Sequence, residues 1–166
     1  VKPGIPAPNV MVDIRDAAVR AGVGEIGYCG EILTPEFGPR QRFQMILTDA
    51  ELTPTPLCQA SVCDECKECV SACPLNAIAT GADERLEICG KTMTVASIDY
   101  GACRSCKDGA RGNPNHPAGR PDRLGALCTR TCVDHLERAD RVSNQFAGTF
   151  RKRPAWQIDH TGQPSL

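Results

Sequence analysis

The stretch VCDECKECVSACPLNAI, residues 62–78, carries Cys63, Cys66, Cys69 and Cys73 at spacings of two, two and three residues, with Pro74 directly after the last. Four thiols this close cannot all be ordinary core residues. Zinc usually takes two separated pairs of Cys or His ligands, so a single compact run of four suits it poorly. The run suits an iron–sulfur cubane: three closely spaced thiolates hold three irons of one cluster, and the fourth reaches a second cluster in two-cluster proteins. Pro74 fixes the turn that carries Cys73 away from its neighbours.

The spacing resembles that of bacterial two-cluster ferredoxins, and the other cysteines can be sorted on that pattern. A second cluster built on Cys73 needs three more thiolates, and the first cluster needs one. Cys103 and Cys106 form a close pair, and Cys128 and Cys132 repeat the spacing of Cys69 and Cys73. The pseudo-symmetry gives one [4Fe-4S] cluster on Cys63, Cys66, Cys69 and Cys132, and another on Cys73, Cys103, Cys106 and Cys128. Two features depart from a simple ferredoxin. Val133 stands where a proline would follow the last cysteine, and a long insertion separates Cys106 from Cys128. Loop-closure entropy grows slowly with length, so the insertion is tolerable.

Cys29, Cys58 and Cys89 are left over and read as small apolar side chains. Two alternatives stand beside that reading: Cys58 as a substitute ligand just ahead of the run, and Cys29 as a further redox site in a Gly-rich loop. His116, His135 and His160 read as surface histidines, with ligation as the alternative. His135 follows Cys132 by about one helical turn, at the solvent face or the rim of a cluster pocket.

The 166 residues contain 11 cysteines, an odd number crowded at metal-ligand spacing, which argues against a disulfide framework. VKPGIPAPNV at the start has no apolar segment of signal-peptide type, and no apolar run reaches membrane-spanning length. A reduced, cytoplasmic protein is therefore expected. A net charge of −1 gives no global reason to expect nucleic acid as a partner. With few aromatics and many Gly and Pro, a purely apolar core would be thin, and inorganic cross-links would reinforce it.

Along the chain, residues 13–21 read as a helix stopped by Gly22. Residues 42–48 (RFQMILT) alternate Phe43, Met45 and Leu47 and read as a strand. A short helical turn is expected at 68–71, a strand or extended arm at 92–99, a Gly- and Pro-rich loop at 109–121, and a helix at 123–138 with Cys128 and Cys132 on one face.

Residues 17–52, AAVRAGVGEIGYCGEILTPEFGPRQRFQMILTDAEL, supply a second signal. The runs at 20–27, 33–40 and 42–49, followed at the same distance by the cysteine run, resemble reductive dehalogenases and the related epoxyqueuosine reductases. The resemblance extends over roughly residues 13–135. It implies a nitroreductase-like α+β domain that cradles a cobalamin and a two-cluster module that feeds it electrons singly. The GVGEIG loop suits close approach, either to another backbone or to a cofactor. Only 12 residues precede the helix at 13–21, too few for the family's other pocket wall. Asp13 and Asp16 lie near where epoxyqueuosine reductases carry an aspartate, but the intervening spacing does not match, and Tyr28 stands where the family usually has a different residue, so none of the three receives a catalytic role. Either a partner chain completes the pocket or an electron carrier remains.

The sequence thus predicts an α+β chain with a partial nitroreductase-like segment at 1–57, a bacterial-ferredoxin-like module with two [4Fe-4S] clusters at 58–142, and a tail at 143–166. Expected partners are other polypeptides of an oxidoreductase complex, or further copies of the chain, with no nucleic acid and no membrane insertion. Cobalamin is not expected from this chain alone. Residues 13–50 are expected to order by packing on another polypeptide.

Overall fold

The computed structural model describes residues 12–113 and 119–145. In chain order it contains α1 (Ile14–Arg20), β1 (Glu25–Ile26), β2 (Ile32–Leu33), α2 (Glu68–Ser71), β3 (Ile78–Ile88), β4 (Lys91–Ile98), α3 (Tyr100–Arg104) and α4 (Leu127–Arg138). The fold is mixed α and β, with two small antiparallel sheets, β1–β2 and β3–β4. No helix among the described residues is long and apolar enough to cross a membrane.

α1 begins where Asp13 accepts a hydrogen bond from the amide of Arg15 at 2.9 Å, satisfying one of the free donors of the first turn. It stops at Gly22, whose φ of 73° any side chain would strain. The chain then forms the β1–β2 hairpin, in which the backbone at Gly24 lies against that of Leu33. The close approach suggested by GVGEIG is therefore to this chain's own backbone. A Cβ at Gly24 would overlap the Leu33 carbonyl oxygen. Gly24→Ala should destabilise the fold by about 2 kcal/mol or more through overpacking. Chemical denaturation measures this, and an unchanged midpoint would contradict the packing described.

The longest sheet is a hairpin that the sequence reading half anticipated. β4 covers the strand expected at 92–99, but its partner β3 was not foreseen. The two are joined by Cys89 and Gly90, both with positive φ (52° and 78°), as a two-residue hairpin turn requires. The register shifts between Ala79 and Glu84, leaving residues 80–83 bulged. The bulge frees the amide of Ala96, which donates instead to the Tyr28 carbonyl at 2.9 Å, and it aims Asp83 at the Tyr28 hydroxyl.

The strand expected at 42–48 is not formed. Residues 41–61 contain no regular element, and Ile46 and Leu47 are 85% and 92% exposed. Their alternation is real, but among the described residues no edge pairs with them, and a strand without a partner leaves its ladder groups to water. Residues 14–38, by contrast, are largely enclosed by this chain. α4 is shorter than expected. Residues 123–126 form a turn closed by the Ala126 amide on Arg123, and the helix starts at Leu127. His116, His160 and most of the tail lie outside the described residues.

Three apolar clusters hold these pieces together. One joins Val19 and Ile26 to Ile88, Met93 and Val95 of the hairpin. Another joins Leu33, Val62, Leu136 and Val142. The central one is built substantially from cysteines, with Tyr28, Cys29, Cys69, Ile78, Ala96, Ala126 and Cys128 buried and Cys63 and Cys73 against them.

Candidate metal centre

Two small cavities divide the thiols. One is lined by Cys63, Cys66, Cys69 and Cys132, together with Cys29, Tyr28, Lys67 and His135. The other is lined by Cys73, Cys103, Cys106 and Cys128, with Pro74, Ile78 and Arg123 among its walls. The eight candidate ligands therefore fall into two groups of four, and in each group one thiol comes from the far side of the sequence. α4 explains the crossing: Cys128 and Cys132 lie one turn apart, and each opens onto a different cavity. Cys58 and Cys89 lie outside both cavities, beside a separate cleft near Lys91.

The loop that carries Cys63 and Cys66 and leads into α2 with Cys69 has no regular structure and is pinned from outside. Glu25, in the middle of GEIG and 4% exposed, accepts from the amides of Val62 and Cys63 at 2.7 and 2.6 Å through one oxygen. Its other oxygen pairs with Lys91 at 3.0 Å. Lys91 also donates to the carbonyls of Cys58 and Ala60, and Arg141 to those of Ser61 and Val62. Within the loop Glu65 and Lys67 have φ of 56° and 60°. Such left-handed residues turn backbone amides to one side, as in the concavities that receive anions and iron–sulfur groups. Sequence reading missed Glu25 because a single acidic residue in a Gly-rich loop carries no pattern.

The LTPEFGPR stretch fastens α4. Arg40 bonds the Phe37 carbonyl and pairs with the buried Glu137 at 2.8 Å, and it also donates to the Asn144 carbonyl. α4 is thereby held over both cavities.

In the first cavity Cys29 is 2% exposed and shares hydrogen bonds with Cys132 and Cys69. That sharing pulls the Cys29 thiol down and pushes the other two up, with burial adding to their rise. Cys63 and Cys66 are also raised by burial, although backbone amides, that of Tyr28 among those at Cys63, oppose it. In the second cavity burial raises Cys103 and pushes Cys128 up to about 11. The Ala77 amide donates to the Cys73 sulfur at 3.2 Å. The thiols that burial raises resist ionisation until a cation replaces the lost hydration, as bound iron does. The eight sulfurs in two groups, with the Tyr28 and Ala77 amides turned toward Cys63 and Cys73, fit a pair of cubanes.

Tyr28 is buried, donates to Asp83 at 2.6 Å and carries Lys67 over its ring at 5.0 Å. Burial, then the Asp83 bond, push its hydroxyl up to about 12. Tyr28→Phe should lose about 1–2 kcal/mol, a charge-assisted hydrogen bond's worth. Urea unfolding would reveal it, and a loss of nothing would mean that Asp83 pairs elsewhere. His135 lies at the cavity rim, with Asp64 at 2.8 Å on Nε2 and Glu68 at 2.9 Å on Nδ1. The Asp64 bond is the main reason its pKa is raised. Asp64, Cys66 and His135 also form a three-donor group within 4.8 Å, which shares Cys66 with the first cavity.

Comparison with known proteins points the same way as the motifs. A tetrachloroethene reductive dehalogenase of Desulfitobacterium hafniense is 42% identical over 72 residues, which are 42% of this chain and 13% of that protein. The corresponding enzyme of Sulfurospirillum multivorans is 36% identical over 80 residues, 46% of this chain and 16% of the relative. An epoxyqueuosine reductase of Atelocyanobacterium thalassa is 40% identical over 86 residues, 50% of this chain and 28% of the relative. Neither a family model nor a solved structure matches. The resemblance to reductive dehalogenases and epoxyqueuosine reductases is thus borne out over part of the chain. The chain spans less than a third of the length of these relatives.

Proposed function

We propose that this chain is an electron-transfer iron–sulfur polypeptide of a larger oxidoreductase. In this reading Cys63, Cys66, Cys69 and Cys132 hold one [4Fe-4S] cluster, and Cys73, Cys103, Cys106 and Cys128 hold the other. The observation that carries it is the division of eight thiols between two adjoining cavities, four to each. The clusters, when bound, supply reversible one-electron chemistry. The polypeptide supplies ligation, exclusion of water and amide hydrogen bonds to sulfur, the levers that set potential. One packed cluster supplies residues to both cavities, Tyr28, Cys29 and Cys69 to the first and Ile78, Ala126 and Cys128 to the second, so electrons pass from one to the other through packed protein.

Membership of a larger assembly is supported by one feature. Residues 45–52 expose Met45, Ile46, Leu47 and Leu52 in a stretch that forms no regular element. A partner surface would cover these side chains, and a partner sheet would also pair the extended backbone. The nitroreductase-like segment is then the edge of a domain completed outside this chain. Anaerobic reduction with dithionite tests the electron-transfer role: about two electrons per chain should enter reversibly, one for each cluster. Iron that cannot be reduced and reoxidised would leave only a structural role.

A second reading, favoured by the names of the relatives, is part of a cobalamin-dependent reductase completed by another polypeptide. Cobalt in the native assembly, with corrinoid absorbance, would support it. An assembly free of cobalt would leave the electron carrier.

A further inference from the structure

Arg123 is 3% exposed and stands between the two thiol-lined cavities. Its Nη2 donates to the Cys29 carbonyl at 2.8 Å and pairs with Glu31 at 2.5 Å. The same side chain lines the second cavity with Cys73, Cys103, Cys106 and Cys128. Its Nε and Nη1 are buried and have no hydrogen-bond partner among the described residues. Buried donors are nearly always paired, and a guanidinium cannot shed its proton to escape the cost. Apart from the Tyr100 ring, whose centroid is 5.6 Å from Cζ, nothing among the described residues meets these atoms, and an anionic acceptor at the cavity would relieve both.

We propose that Arg123 donates to the sulfur shell of the second cluster and, by its fixed charge, raises that cluster's reduction potential above that of the first. This rests on the two-cluster reading above. Reduction adds one electron and so one negative charge. A cation beside the cluster favours the reduced form, and more so where water is excluded.

Among the described residues, the cations around the first cavity face main-chain carbonyls or carboxylates, with Arg141 on the carbonyls of Ser61 and Val62. Lys67 faces Asp83 at 4.0 Å, and His135 lies between Asp64 and Glu68. Lys91 behind the loop is taken by Glu25. Near the second cavity Asp99 is engaged in capping α3 through the Ala102 amide, at 3.0 Å. Glu31 is the main counter-charge to Arg123, and burial raises its own pKa to about 7, so near neutrality it offsets only part of the guanidinium's charge. The second cluster is accordingly the first to be reduced and the resting place of the electron.

The test is an EPR-monitored redox titration of the anaerobic full-length chain, with iron and sulfide measured on every sample. The two signals are assigned with ligand variants. In Arg123→Met the second cluster should fall in potential by enough to change its reduced-to-oxidised ratio at a fixed poise about tenfold, which is about 59 mV for one electron. The first cluster should move less. Arg123→Lys should recover most of the shift. Glu31→Gln, titrated at alkaline pH, should move the second cluster the opposite way, a sign that a merely structural role would not produce. If Arg123→Met loses its iron, the Glu31→Gln arm decides. Full iron and sulfide with unmoved or wrong-signed midpoints would overturn the role of Arg123 and leave the two clusters standing. Absence of iron and sulfide from the unaltered chain would instead overturn the reading beneath it.

Discussion

Cys73→Ser is expected to remove the cluster associated with Cys103, Cys106 and Cys128 while sparing the one held by its sequence neighbours Cys63, Cys66 and Cys69. The reason is geometric. Pro74 and the Ala77 amide turn Cys73 out of the loop and into the second cavity, which it shares with α3 and the start of α4. Cys132→Ser should do the reverse, since Cys132 opens onto the first cavity from the next turn of α4. Each variant should keep about half of the iron and sulfide. EPR of the reduced variants should show complementary signals remaining. If Cys73→Ser perturbed only the cluster of Cys63, Cys66 and Cys69, the crossed assignment would fail.

Arg40→Met should be the most destabilising single change outside the cysteines, by about 3–5 kcal/mol. It takes the Arg40 guanidinium away from the Glu137 carboxylate, whose side chain is only 3% exposed, and frees α4 from the Pro35–Arg40 turn. Because α4 bears one proposed ligand of each proposed cluster, both should become labile together. Pairing Arg40→Met with Glu137→Leu should recover most of the loss, since removing both partners of a buried pair is often nearly neutral. Anaerobic denaturation of the loaded protein and the rate of iron release to a chelator measure it. A shift of under about 1 kcal/mol would mean that the pair is weakly coupled to the fold.

What the sequence made legible follows from how local each signal is. The cysteine run, α1 with Asp13 and Gly22, and the helical turn at Glu68–Ser71 are written within a few residues. The grouping of thiols into two sets followed from a short-range pattern applied twice. β3 escaped notice because most of its residues are exposed and four of its eleven are charged, so the apolar alternation that marks a half-buried strand is missing except at Leu86 and Ile88. The reverse error arose at 42–48, where alternation is present but the described chain offers no sheet to receive it. The Arg40–Glu137 pair, the Glu25 anchor and the position of Cys29 beside Cys69 and Cys132 are contacts between distant segments. No periodicity encodes them, and only the folded arrangement brings them to view.

Cys29 has a further consequence for the first cavity. It makes a fifth thiol beside the four proposed ligands, so Cys29→Ala should leave iron content unchanged if Cys132 is the fourth ligand. Loss of half the iron in that variant would exchange their roles. The measurement that bears most directly on the whole account is simpler. Anaerobically purified chain should contain about eight iron and about eight acid-labile sulfide, with the broad visible absorbance of thiolate-bound cubanes. Stoichiometric zinc without sulfide would contradict it.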